Sequence, residues 1–324
     1  MKILKLRPFV RCVAVLALLF TAACGDPEQT GEPAPEAGYV EDMAEAHAED
    51  SSMPSGAAEL VDDLGEVAAM PVLSETVVYG RVNGEPVSGY LAYPETAHGG
   101  LPGILMFHEW WGLNDNIRAM ADKLAAQGYV VLALDVYGGE VATTPERARG
   151  LMQVAMADKV ALNDNIREAW KFMTEEIGAL SVASMGWCFG GTLAFNTALL
   201  YPDQLDAAVV YYGHVTSVTP AQLAMLGMPI IGFFGAEDSG IPVAGVRQFE
   251  QSLKNLGKDA EIVIYDGAGH AFANPTGENF RPEPAADAWQ RTLTFLDRTL
   301  NAAVNRNVIK QPPAADNAPA ATTR

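Results

Sequence analysis

LSVASMGWCFGGTLAFNTALL, residues 180–200, joins an apolar run to a second apolar run through a cysteine bracketed by glycines. The first run reads as a buried strand and the last as a helix, so the chain has to reverse direction within Gly186-Trp187-Cys188-Phe189-Gly190-Gly191. A strand, a sharp turn and a helix hold the turn residue out at the end of a sheet. Glycine is needed around it because a side chain at 186 or 190 would collide with neighbouring backbone. The helix that follows directs its unpaired N–H groups and positive end toward the sulfur, which favours thiolate and can stabilise an oxyanion. From these residues alone two readings of Cys188 stand, an activated nucleophile and a buried structural cysteine.

Outward from this turn the pattern repeats. Apolar runs occur at 103–108, 129–135, 180–186, 207–213, 229–235 and 260–267, and most are separated by stretches of helical periodicity such as NIRAMADKLAAQG, ALNDNIREAWKFM and VRQFEQSLKNLG. Upstream, 75–82 and 87–94 joined through Asn83-Gly84 read as a hairpin at the sheet edge. The expected architecture is α/β: a mainly parallel sheet covered by helices on both faces, over residues 71–305. Sites in such sheets gather at the carboxyl ends of the strands.

Two further groups lie there. PIIGFFG is followed by Ala236-Glu237-Asp238, and EIVIYDG by Ala268-Gly269-His270. The order Cys188, Asp238, His270 is that of an α/β-hydrolase triad, with base and orienting acid each just after a strand. Asp238 is favoured over its neighbour Glu237 by its place in the turn. Of the other histidines, His47 lies in an acidic stretch, His98 in a glycine-rich turn, and His214 has no suitably placed acid; His108 ends a strand and is suited to positioning the next loop. No paired cysteines, metal-loop spacing or phosphate-binding loop suggests a metal or other cofactor.

The two ends read differently from this body. Residues 1–23 carry Lys2, Lys5, Arg7 and Arg11, an apolar run from Val13 to Phe20, then Thr21-Ala22-Ala23 before Cys24, the pattern of an export signal. Thr21-Ala22-Ala23-Cys24 resembles a bacterial lipobox, with Cys24 as the lipidated residue; Thr21 in place of the usual leucine leaves a plain signal peptide as the alternative. Residues 24–70 contain thirteen Asp and Glu and no Lys or Arg, the composition of a disordered tether with at most a short helix at 57–68, and 306–324 reads as a flexible tail. From Cys24 onward the chain has 17 basic and 40 acidic residues, a charge of -23 that excludes nucleic acid and leaves a lipid anchor as the membrane contact. Of three cysteines, only Cys188 lies outside the leader and the lipidation site, which leaves it no partner for an intramolecular disulfide.

HEWWGLN (108–114), GYVVLALDVYGG (128–139), GWCFGG (186–191), GAEDSGIP (235–242) and GAGHAFAN (267–274) together resemble the dienelactone hydrolase (carboxymethylenebutenolidase) family, in order and spacing, over about residues 72–303. The resemblance implies an α/β-hydrolase with Cys188 as nucleophile, His270 as base and Asp238 as its partner. It gives Glu109 the role of contacting the resting thiol and helping to deprotonate it when substrate binds, and it puts the oxyanion between the backbone N–H groups of Trp110 and Phe189. The implied reaction is cleavage of a small ester or lactone through an acyl-enzyme. A catalytically silent, lipid-tethered binding protein for organic acids or aromatics is the alternative, and a surface redox thiol a third reading. One departure concerns substrate: family members bind a carboxylate through an arginine four residues after the histidine, where this chain has Asn274. A second such arginine corresponds to Arg147 or Arg149, and Arg281 stands in the following loop. Trp110 and Trp111 form either an aromatic substrate wall or ordinary core. The oligomeric state is left open.

Overall fold

The computed structural model describes residues 40–41, 70–97 and 100–303. The leader with Cys24, the acidic stretch apart from residues 40–41 and 70, its suggested helix at 57–68, His98 and the tail lie outside the described residues.

Strands β1 (Val72–Val82) and β2 (Glu85–Pro94) form the hairpin. Asn83 and Gly84 turn it with φ of 51° and 86°, the doubly positive geometry whose twist matches that of the flanking strands. There follow β3 (Gly103–Phe107), α1 (Asp115–Ala125), β4 (Val130–Leu134), α2 (Pro145–Ala157), α3 (Lys159–Lys171) and β5 (Val182–Trp187). The chain continues with α4 (Phe189–Leu200), β6 (Ala207–Tyr211), α5 (Pro220–Met225), β7 (Ile230–Gly235), α6 (Val243–Asn255), β8 (Ala260–Tyr265) and α7 (Pro282–Leu296). The strands make one eight-stranded sheet in the order β1-β2-β4-β3-β5-β6-β7-β8. β1 and β2 are antiparallel, β2 is antiparallel to β4, and the rest are parallel. Every residue of β3 to β7 is buried, so both faces of the sheet centre are covered.

The helices follow from local sequence. Asn114 caps α1 by accepting from Ile117 N–H at 3.1 Å, and Ile117, Met120, Ala121 and Leu124 form its buried stripe. Thr144 caps α2, with Pro145 in the first turn, where its missing N–H costs nothing. The pattern read as one helix through residue 173 changes type: α3 ends at Lys171 and continues as a π-helical turn, Phe172–Glu176. α5 and α7 had no counterpart in the periodic reading. α5 is six residues long and rests on a capping box between Thr219 and Gln222, while α7 opens on Pro282 and Pro284, residues that otherwise mark loops.

The site is created by the strand order. β3 leads through α1 to β4 on one side, whereas β5 lies on its other side, so connections diverge at the carboxyl ends of β3 and β5 and leave a crevice. Phe107 pairs with Gly186, so Glu109 and Cys188 each stand two residues beyond a matched position on adjacent strands. α4 approaches this point with no space to spare: a Cβ on Gly190 would lie 2.2 Å from the Phe107 carbonyl oxygen, and one on Gly186 2.2 Å from that of Gly190. Gly190→Ala therefore has to move α4 off β3. It should destabilise the fold by about 1–3 kcal/mol or more in urea unfolding; an unchanged midpoint would show that the approach is not tight.

Candidate active site

Cys188 connects β5 to α4 with φ 57° and ψ −120°, a conformation that costs a non-glycine residue about 1–3 kcal/mol unless its surroundings impose it. They do: its N–H donates to Tyr211 O at 3.0 Å, its carbonyl accepts from Thr192 N–H at 3.1 Å, and the neighbouring glycines seat the turn. α4 begins at the next residue, so its first N–H groups have no acceptor within the helix and its positive end faces the thiol. Cys188 is fully buried.

His270 and Asp238 arrive from the far side of the sheet. Gly235 pairs with Tyr265 at the ends of β7 and β8, and Glu237 N–H donates to Ala268 O at 3.0 Å, which ties the two following loops together. Asp238 Oδ2 lies 2.7 Å from His270 Nδ1. Its other oxygen accepts from Gly240 and Ile241 N–H, both at 3.0 Å, so the carboxylate is fixed from both sides. Glu237 is exposed. Burial by itself would lower the His270 pKa; the charge of Asp238, that of Cys188, and hydrogen bonds to both outweigh it and hold the imidazole well above its usual value. Thiol, imidazole and carboxylate thus form one buried series.

His108 supports this arrangement from β3. Its Nε2 accepts from Val136 N–H at 3.4 Å, which leaves Nδ1–H to donate to the Glu109 carbonyl at 2.5 Å. Burial lowers its pKa, in keeping with a neutral ring that ties the loop after β3 to the loop after β4. Glu109 is buried, and its Oε2 accepts from Asn274 Nδ2 at 2.7 Å. Asn274 is fixed in turn, because its Oδ1 accepts from Thr276 N–H at 3.0 Å, Thr276 Oγ1 at 2.7 Å and Asn116 Nδ2 at 3.4 Å. A narrow cleft here is lined by Glu109, Asn116, Met120, Trp187, Tyr212 and Asn274 among others.

Cys188, Asp238, His270, Glu109 and Asn274 are therefore brought together, with Trp110 directly after Glu109 and Phe189 directly after Cys188. The arginines are not. Arg147 is exposed on α2 and paired with Glu140, Nη2 to Oε2 at 2.6 Å, and Arg149 is exposed on the same helix near Glu146. Arg281 is exposed and donates to the carbonyls of Gly267 and Phe280. α2 presents both Arg147 and Arg149 to solvent, and neither lines the cleft. Trp111 is also absent from that lining; it is buried, its ring 5.1 Å from that of Trp110 in an edge-on contact, as core packing.

Two polar cleft residues were missed in the sequence. Asn116 lies in the first turn of α1, and Tyr212 follows β6 with φ 35°. Tyr212 packs edge-on against His270 at 5.1 Å and Phe272 at 5.4 Å. It escaped because the apolar run continues to 213, two residues past the end of β6 at Tyr211. Burial, and then the charges of Glu109, Cys188 and Asp238 among others, hold its pKa well above the usual phenol value, so it remains a donor. Among the described residues no cluster of three or more His, Cys, Asp or Glu is arranged to hold a metal ion, and no helix is long and apolar enough to cross a membrane.

A mainly parallel sheet with a nucleophile-type elbow after β5, and acid and histidine after β7 and β8, defines an α/β-hydrolase fold. Comparison with known proteins narrows this class. The dienelactone hydrolase family pattern matches residues 87–300, and the chain belongs to that family, whose members are hydrolases acting on esters. The chain is 32% identical over 221 residues to a protein of Aquifex aeolicus provisionally named a carboxymethylenebutenolidase, covering 66% of this chain and 94% of the relative. Protein usf of Aquifex pyrophilus is 32% identical over 225 residues, 67% of this chain and 96% of that protein. The crystal structure of a protein from Klebsiella pneumoniae subsp. pneumoniae, provisionally named a dienelactone hydrolase, is similar with a TM-score of 0.60 at 28% identity, covering 70% of this chain and 99% of that one.

The charge of Asp238 is the largest of the contributions that keep the His270 proton in place. Because the folded pKa is raised, the bound proton contributes stability that is complete below about pH 6.5 and is lost as pH rises through the folded value. In Asp238→Asn, burial is opposed by Cys188 alone and the imidazolium that supports the thiolate is lost at lower pH. Alkylation of Cys188 by iodoacetamide at pH 7, read by mass spectrometry, should slow by about tenfold or more; an unchanged rate would remove Asp238 from this role.

Proposed function

We propose that the protein hydrolyses small esters or lactones, with Cys188 as the nucleophile. The observation that carries this reading is the buried series from Asp238 through His270 to Cys188, His270 Nδ1 being 2.7 Å from Asp238 Oδ2, with the cysteine on a positive-φ turn at the start of a helix. The thiolate attacks the carbonyl carbon, and the carbonyl oxygen takes the charge between the N–H groups of Trp110 and Phe189. Each donor contributes on the order of 3 kcal/mol to the transition state. The adduct collapses with loss of the alcohol, which takes the proton from His270, and leaves a thioester on Cys188. His270 then takes a proton from water, the hydroxide attacks the thioester, and the acid leaves as the thiolate is restored.

Glu109 is assigned the restraint of the thiol. A carboxylate at the adjacent strand end opposes the thiolate charge in the same buried site, so part of Cys188 rests as thiol with the proton taken back from His270, until substrate enters and draws the charge onto its carbonyl. Such restraint suits an exported protein, because a permanent thiolate oxidises readily. We further propose export through residues 1–23 and lipid attachment at Cys24, with the acidic stretch as a tether that holds the hydrolase at the cell envelope.

Purified full chain is tested with an aryl ester and a dienelactone. Cys188→Ala should lower turnover by about 10³-fold or more, whereas turnover equal to the parent would dismiss Cys188 as nucleophile. Ligand binding without hydrolysis over hours would favour the silent binding protein instead. In cells, Cys24→Ser should move the protein from the membrane fraction to the soluble envelope fraction; unaltered membrane association would contradict the anchor.

A further inference from the structure

We infer that the cleft beside Cys188 selects a small, uncharged acyl group bearing a hydroxyl, with Asn116 Oδ1 and the Tyr212 hydroxyl as its partners. The inference rests on the hydrolase reading above and specifies its substrate class.

Glu109 fixes the orientation of both amides. Its carboxylate can only accept, so the Asn274 amide must present Nδ2 to it, as it does at 2.7 Å. That fixes Asn274 Oδ1 on the other side, where Thr276 donates to it twice. With an acceptor facing it, Asn116 must offer Nδ2, at 3.4 Å, and this orients its own Oδ1 away from the pair. The Asn116 oxygen is buried and accepts no hydrogen bond from the protein, while the buried Tyr212 hydroxyl likewise has no protein partner. Asn116 is 7% exposed and Tyr212 0%, and both line the cleft, so their polar atoms are supplied by neither solvent nor chain. Buried polar atoms left this way are costly, and a ligand that satisfies them is favoured over one that does not.

One acceptor and one donor lining the same narrow cleft suit a hydroxyl, which gives its proton to Asn116 and accepts from Tyr212. The free space in the cleft is about that of one water-sized group, which restricts the acyl chain to a short one. A carboxylate fits poorly. No lysine or arginine is among the described residues that line the cleft, and Glu109 would face it with like charge in a buried site. Asn274 is thus more than a missing arginine, because it sets the polarity of Asn116.

The test measures kcat/KM of the full chain by pH-stat for methyl propionate, methyl lactate, methyl 3-hydroxypropionate and monomethyl malonate, each normalised to its hydrolysis by hydroxide. One of the two hydroxy esters should exceed methyl propionate by about tenfold or more, and monomethyl malonate should fall below it by a similar factor. Asn116→Leu should reduce the hydroxyl preference to about threefold or less, and Asn274→Arg should raise the malonate relative to the propionate. If Asn116→Leu lacks a cooperative melt, the parent series and Asn274→Arg decide. Turnover with no hydroxyl preference, malonate cleaved as well as propionate, or a preference unmoved in a folded Asn116→Leu overturns the inference alone. No turnover of these esters by a chain that cleaves an aryl ester overturns the inference alone, whereas no turnover of any ester or lactone, with no acyl group on Cys188, overturns the hydrolase reading and this inference together.

Discussion

At Cys188 the chain leaves the sheet with φ 57°, and the molecule is arranged to make that conformation the lowest one available. α4 can follow at once only because Gly190 and Gly191 let its first turn rest on the carbonyls at the ends of β3 and β6. A Cβ at these two positions would come within 2.2 Å of Phe107 O and 2.5 Å of Tyr211 O. The same contact sets the height of the thiol above the strand ends, the direction of the helix terminus and the nearness of the loop from β3. Strain at one residue is thus held by packing spread over three strands and a helix.

Charge is managed as closely as shape. Asp238, with both oxygens engaged, lies at one end of the series, and Glu109, engaged by Asn274, lies in the cleft beside it. Between them the imidazole is held protonated against the cost of its burial. The outcome is a cysteine that has charge support from one direction and opposition from the other, in a chain that is strongly acidic. A neutral substrate meets no penalty on entering such a site, whereas an anionic one meets it both at long range and in the cleft.

Much of this was legible in the chain itself. The eight strands fell where apolar runs met turn residues, and the elbow, Asp238 and His270 could be located because α/β sheets put their chemistry just past strand ends. What escaped had physical causes. α7 begins with two prolines, which punctuate a sequence but are tolerated in a first helical turn. Arg147 and Arg149 were plausible ligands by type, and only the packing of α2 shows that they face solvent. Asn116 belongs to a helix with an ordinary amphipathic stripe, and its role depends on which way an amide 158 residues away in sequence is turned. Such orientation has no periodic signal, and Tyr212 was hidden inside an apolar run that continues to 213, beyond the end of β6.

The most direct test of the central claim, covalent catalysis by Cys188, is mass spectrometry of the protein acid-quenched during turnover of an aryl ester that gives a burst of aryl product. The account predicts the acyl mass on the peptide containing Cys188, appearing with the burst and lost as turnover ends. A burst with the acyl group on another residue, or with none on Cys188, would contradict it.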